Sequence, residues 1–166
     1  QDYVSEGDSP AYLYSIANGL RSYEDPTYGG WGGLFYRVYG NVYRDISKAS
    51  YLIWVEFANR DFESRMRWCV TDKFEDANHK PVINITGGEL NRTVRSGEPV
   101  TIEAEISDPD GSRGASALWW QYKEAGTYEE IIKISDPWNR KITFIAPYVT
   151  RPGTIHMILE ASDRGK

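Results

Sequence analysis

One cysteine, Cys69, stands among 166 residues, so no disulfide can close within the chain and the fold has to rest on burial and hydrogen bonding. Histidine is nearly as scarce: His79 and His156 lie far apart, without neighbouring ligands at metal-binding spacing, and no zinc motif is readable. Long apolar runs are missing too. The stretch 50–55 is among the longest and falls far short of the roughly 20 residues that cross a bilayer. A positive excess is also lacking, since the formal net charge is −5 and both halves are acidic. Neither half offers a footprint for phosphate backbones, and nucleic acid is excluded as the expected partner, as is a membrane. Catalytic constellations are absent from the spacing: no Ser/His/Asp or Cys/His set stands out, and carboxylates are too many to choose a glycosidase pair. The chain opens at Gln1 without methionine or signal peptide and stops at Asp163-Arg164-Gly165-Lys166, a turn leading toward another strand. A piece of a longer protein is expected.

What is present is an ordinary soluble composition, 40% apolar and 26% charged, with aromatics spread unevenly. Nine of twelve tyrosines and three of six tryptophans precede Pro81, whereas the alternating β-branched segments follow it. A boundary near Asn78-His79-Lys80-Pro81 fits, because the residue before proline is pushed out of helical geometry. In the first part, Ser9 and Pro10 start a short helix that Gly19 ends. A glycine- and tyrosine-rich irregular region runs from Ser22 to about Ile46. The spacing then predicts a helix over 48–70, with Ile53, Phe57, Phe62, Met66 and Cys69 on its apolar face and Arg60, Glu63 and Arg67 in water. On that face Cys69 is expected to be a small buried hydrophobe rather than a nucleophile.

After Pro81 the period becomes two. Val82–Ile85 is read as an edge strand; Val100, Ile102, Ala104 and Ile106 line one side of the next. Leu118, Trp120 and Tyr122 repeat the pattern, then Ile142, Phe144 and Ala146, then Ile155, Met157, Leu159 and Ala161. Turns at Ser96-Gly97, Asp108-Pro109-Asp110-Gly111, Glu124-Ala125-Gly126 and Arg151-Pro152-Gly153 make this an antiparallel immunoglobulin-like β-sandwich, lacking its last strand and so open at one edge. The fold class expected is α+β, a helical and irregular part followed by that sandwich.

The run Gly29-Gly30-Trp31-Gly32-Gly33 needs a reason, since glycine loses the most backbone freedom on folding. An indole stacks on the apolar face of a pyranose, and glycine neighbours let a sugar chain come close; Tyr28 and Tyr36 would extend the platform. Equally, Trp31 would plug a seam. Trp119 and Trp120 are adjacent on a strand and must point to opposite faces. Trp120 is placed in the sandwich core and Trp119 outward, against the helical part by preference, or into water as a second binding aromatic. Asp108 and Asp110 are read as turn residues before calcium ligands.

Read together, Glu6-Gly7-Asp8-Ser9-Pro10-Ala11-Tyr12-Leu13-Tyr14, the Gly29–Gly33 run, Asp61-Phe62-Glu63-Ser64-Arg65-Met66-Arg67-Trp68-Cys69-Val70, Glu75–Pro81, Ser107–Gly111, Trp120–Tyr128 and Ile155–Glu160 resemble the C-terminal region of bacterial cellulose-binding proteins that carry a nucleoside-hydrolase-like domain. The resemblance implies that residues 1–80 close that domain and 81–166 form the appended sandwich. It also implies a secreted or periplasmic home and a polysaccharide or oligosaccharide ligand such as cellulose, held by Trp31, Tyr28, Tyr36 and Trp119 without a cofactor. The alternative it implies is a glycosidic-bond hydrolase whose catalytic aspartates lie upstream, in a missing N-terminal region, with Asp8 completing a calcium site before a helix N-terminus. Otherwise Asp8 is a capping residue, and this fragment alone is not expected to be an enzyme.

Overall fold

The change of hydrophobic period near Pro81 marks where the last α-helix gives way to a segment built mainly of strands. A computed structural model describes residues 12–46, 48–111 and 114–163. The chain divides into two compact units, residues 1–70 and 71–166. Of the helix expected from Ser9 to Gly19, residues 9–11 lie outside the described residues, as do Glu6 and Asp8; Tyr12 and Leu13 are helical, but 14–19 are turn, bend and loop, so the helix does not reach Gly19.

In the first unit, Asp25 opens a short 3-10 turn over Pro26–Tyr28. Its Oδ1 accepts from the Thr27 amide at 2.9 Å and the Thr27 hydroxyl at 2.8 Å, while Pro26 sits where its missing N–H costs nothing. The stretch read as irregular is in part regular: strands β1 (Phe35–Tyr39) and β2 (Val42–Asp45) form an antiparallel hairpin with Tyr36 opposite Arg44 and Arg37 opposite Tyr43, the alternating Phe-Tyr-Arg-Val-Tyr and Val-Tyr-Arg-Asp runs meeting across a turn at Gly40-Asn41. A 3-10 segment, Lys48–Trp54, then leads into helix α1, Val55–Trp68. The helix expected over 48–70 is therefore shorter, because its first seven residues take the tighter winding.

Three ion pairs run along α1, Glu56–Arg60, Asp61–Arg65 and Glu63–Arg67. Each places the acid four residues before the base, the favourable order with respect to the helix dipole. The exposed charges are where the spacing put them, but the apolar face is not covered. Phe62 is 64% exposed and Met66 51%, and Cys69 is exposed rather than buried. The buried apolar side chains of this unit are Leu20, Leu34 and Trp54 among the described residues. The spacing is helical, but among the described residues nothing shields Phe62, Met66 and Cys69.

The second unit holds two antiparallel sheets. Strands β3 (Val82–Ile85), β4 (Pro99–Ser107) and β6 (Lys141–Ile145) form one in the order β3-β4-β6; β5 (Ser116–Gln121) and β7 (Met157–Ser162) form the other. Val82 pairs with Ser107, Val100 with Phe144, and Trp119 with Leu159. Both sheets feed one cluster: Val100, Ala104, Ile142 and Phe144 from the first, Trp119 from the second, with Met157 and Leu159 packed against it. The expected inward residues of β4, β6 and β7 are thus found.

Strand β5 is in the opposite phase. Ala117, Trp119 and Gln121 are buried, whereas Leu118 and Trp120 are only half-buried. Trp119 is 3% exposed, so its outward placement is corrected. The sequence Ala-Leu-Trp-Trp-Gln-Tyr carries apolar residues in both phases, and a one-residue shift exchanges the faces without an obvious hydrophobic penalty. Hydrogen bonds decide it. The buried indole donates through Nε1 to the Asn139 carbonyl at 3.0 Å, and the buried Gln121 carboxamide donates to the Glu130 carbonyl at 3.0 Å and accepts from the Ile132 amide at 2.7 Å.

Candidate functional site

The glycine run is a tight turn. Gly30 and Gly33 exchange both backbone hydrogen bonds at 2.9 Å, leaving Trp31 and Gly32 at the tip. Gly29 and Gly33 have φ of 77° and 111°, a region disfavoured for other residues. A Cβ on Gly30 would lie 2.7 Å from the Ser22 hydroxyl, and one on Gly33 would overlap that of Ser50. Both serines are committed: Ser22 donates to the Tyr14 carbonyl at 3.0 Å, and Ser50 accepts from the Leu34 amide at 3.0 Å. The close approach that these glycines permit is therefore to the protein's own backbone and serines. All four are buried, and the one side chain in the run, Trp31, is half-buried.

Tyr28 and Tyr36 come from neighbouring elements, the Pro26–Tyr28 turn and β1, which lie side by side. Arg37 of β1 reaches Asp25 at 3.2 Å and the Tyr43 hydroxyl at 2.7 Å, tying strand to turn. Burial works to raise the Asp25 pKa, but the Thr27 amide and hydroxyl and the Arg37 charge outweigh it and leave this carboxyl below its ordinary value. Tyr28 is half-buried with the Arg21 guanidinium 5.4 Å from its ring centre, and Arg21 is itself paired with Glu24. Tyr36 is 43% exposed. Three of the four expected aromatics thus belong to one short stretch of the first unit. Trp119 belongs to the core of the second and offers no platform.

The acidic turn also has a definite shape. Gly111 donates to the Asp108 carbonyl and the Asp110 amide to Asp108 Oδ1, as expected of turn residues. Asp110 then grips the segment before β3, accepting from the His79 amide at 2.6 Å and meeting His79 Nδ1 at 2.9 Å; the His79 ring stacks on Phe74. Asn78 donates to Asp163 at 3.2 Å. Asp108, Asp110 and Asp163 bring carboxylate oxygens within 4.8 Å of one another, donors of the type that a hard cation takes. Asp110, however, already turns both oxygens toward His79. These contacts place residues 71–80 with the second unit, whereas the sequence put the boundary ten residues later.

Sequence reasoning passed over Trp138. It lies on the connection between β5 and β6 and is 66% exposed. The residues around it, Ser135-Asp136-Pro137-Trp138-Asn139, are turn formers flanking an aromatic, and that composition was the available signal.

Comparison with known proteins adds the following. Residues 99–166 match the model of the C-terminal domain of cellulose-binding protein Sde0182, and residues 1–35 match that of the nucleoside hydrolase-like domain of cellulose-binding Sde182. Among solved structures, a nucleoside hydrolase-related hypothetical protein from Saccharophagus degradans, described as associated with carbohydrate metabolism, superposes with a TM-score of 0.79 at 28% identity. The match covers 99% of this chain and 45% of that one, so this chain spans under half its length. No curated protein matches.

Proposed function

We propose, from the match of residues 99–166 and 1–35 to the two domain models of the cellulose-binding protein Sde0182, that the chain is a polysaccharide-binding portion of a secreted or periplasmic bacterial protein, taking cellulose or a related plant glucan. The observation that carries this reading is the doubly hydrogen-bonded Gly30–Gly33 turn with Trp31 at its tip and exposed Tyr36 close by in sequence. A backbone fixed in advance spares the ligand the cost of ordering a loop. Micromolar to millimolar association is expected, about 4 to 8 kcal/mol. The test is retardation in gels containing soluble β-glucans together with depletion onto cellulose. Trp31→Ala should weaken retention about tenfold, the scale of a lost aromatic contact; no retention of the native chain ends the reading.

The second unit is read as an immunoglobulin-like sandwich, supported by two antiparallel sheets that share one core. The match of residues 1–35 favours a second functional reading: the chain closes a nucleoside-hydrolase-like glycoside hydrolase whose catalytic aspartates lie upstream, with Asp8 as a calcium ligand. Uncovered Phe62 and Met66 suit packing against the rest of such a domain. A longer protein that cleaves no glycoside, or loses nothing in Asp8→Asn, removes this alternative.

A further inference from the structure

We propose that the Trp138 indole is a stacking platform for a β-linked pyranose chain, a glucan site in the second unit separate from the Trp31 turn. The class of ligand rests on the polysaccharide reading above; the residue does not. The turn that carries Trp138 is fastened on every side. Asp136 Oδ1 accepts from the Trp138 amide at 3.3 Å, and Asn139 Oδ1 from the Lys141 amide at 3.1 Å. The Pro137 carbonyl accepts from the Trp119 amide at 2.8 Å, the Asn139 carbonyl from the Trp119 indole at 3.0 Å, and the Arg140 carbonyl from the Ala104 amide at 2.9 Å. Core residues of both sheets thus hold the backbone on either side of Trp138.

An indole left 66% exposed on so rigid a support is unusual, because tryptophan is highly buried on average. Among the described residues no ring or cation packs on it. Its neighbours Asp136, Asn139 and Arg140 are exposed and polar. A protein-binding hot spot needs a contiguous apolar centre shielded from water, whereas this exposed ring is flanked along the chain by hydrogen-bonding residues. A pyranose has the matching anatomy, an apolar C–H face for the ring and hydroxyls for the polar rim. A tryptophan on a fixed backbone also loses little conformational freedom on binding. This Trp138 turn lies within residues 99–166, the part matching the C-terminal domain of a cellulose-binding protein.

The experiment compares the full chain with Trp138→Ala, Trp138→Tyr and Trp31→Ala for depletion onto cellulose and for cellohexaose binding by calorimetry, with the unfolding midpoint as a control for folding. Alongside, exposed tryptophans are oxidised with N-bromosuccinimide with and without cellohexaose and located by mass spectrometry. Trp138→Ala is expected to weaken binding about tenfold or more with an unchanged midpoint, Trp138→Tyr to keep part of it, and cellohexaose to shield Trp138 from oxidation. Native binding that Trp31→Ala lowers and Trp138→Ala leaves intact, with Trp138 oxidised equally in both conditions, overturns this site and leaves the polysaccharide reading standing. No binding by the native chain overturns both. Self-association of the native chain that Trp138→Ala abolishes, without any glucan effect, assigns the ring to a contact between copies and overturns the proposal.

Discussion

Gly33 shows how one residue type is dictated by its surroundings rather than by a ligand. Its φ of 111° and the Ser50 hydroxyl beside it leave no room for a Cβ. Gly33→Ala is expected to destabilise the chain by about 1 to 3 kcal/mol in urea unfolding. Trp119 is the corresponding case in the core. Trp119→Ala should cost about 3 to 5 kcal/mol, and Trp119→Phe about 1 to 3, because the Asn139 carbonyl then loses its indole donor. Asp25 gives a test by pH. Its folded pKa is lowered, so its contribution is complete above the unfolded value of about 3.9 and is lost as the pH falls through the lower folded value. In unfolding titrations, the native chain should exceed Asp25→Asn in stability near neutrality, and the gap should shrink steadily below about pH 4.

At the scale of elements, α1 separates two things that a helical period usually joins, periodicity and burial. Its i,i+4 pairs favour the helix by a few tenths of a kcal/mol each, independently of packing. With Phe62 and Met66 uncovered, Phe62→Ser should shift the stability of this chain by less than about 0.5 kcal/mol, while lowering its binding of an apolar dye. A large loss of stability in urea would mean that Phe62 is buried in solution. Strand β5 teaches the converse: where both faces are apolar, hydrogen-bond partners choose between them.

For the whole molecule, the consequential contact is the grip of Asp110 on His79, which attaches residues 71–80 to the second unit. Asp110→Ala should free this segment. Trypsin is then expected to cut after Lys73 several-fold faster than in the native chain, with the fragments read by mass spectrometry. An unchanged rate would show that the Asn78–Asp163 bond holds the segment without Asp110.

The sequence alone determined that two-residue periodicity sets in after Pro81, which residues of β4, β6 and β7 face the core, the turn chemistry of Asp108–Gly111, and the resemblance to cellulose-binding proteins. These follow from period, from proline and glycine, and from ordered motifs, all of which are local. Only the tertiary structure decided the facing of Trp119, the exposure of Cys69 and Phe62, the partners of the Gly29–Gly33 run, and the attachment of residues 71–80. Each depends on what lies opposite a residue in space: Asn139 twenty positions from Trp119, Asp110 thirty-one from His79, Ser50 from a distant turn. Burial and hydrogen-bond satisfaction belong to pairs of groups, and a pattern along one chain records only one member of each pair.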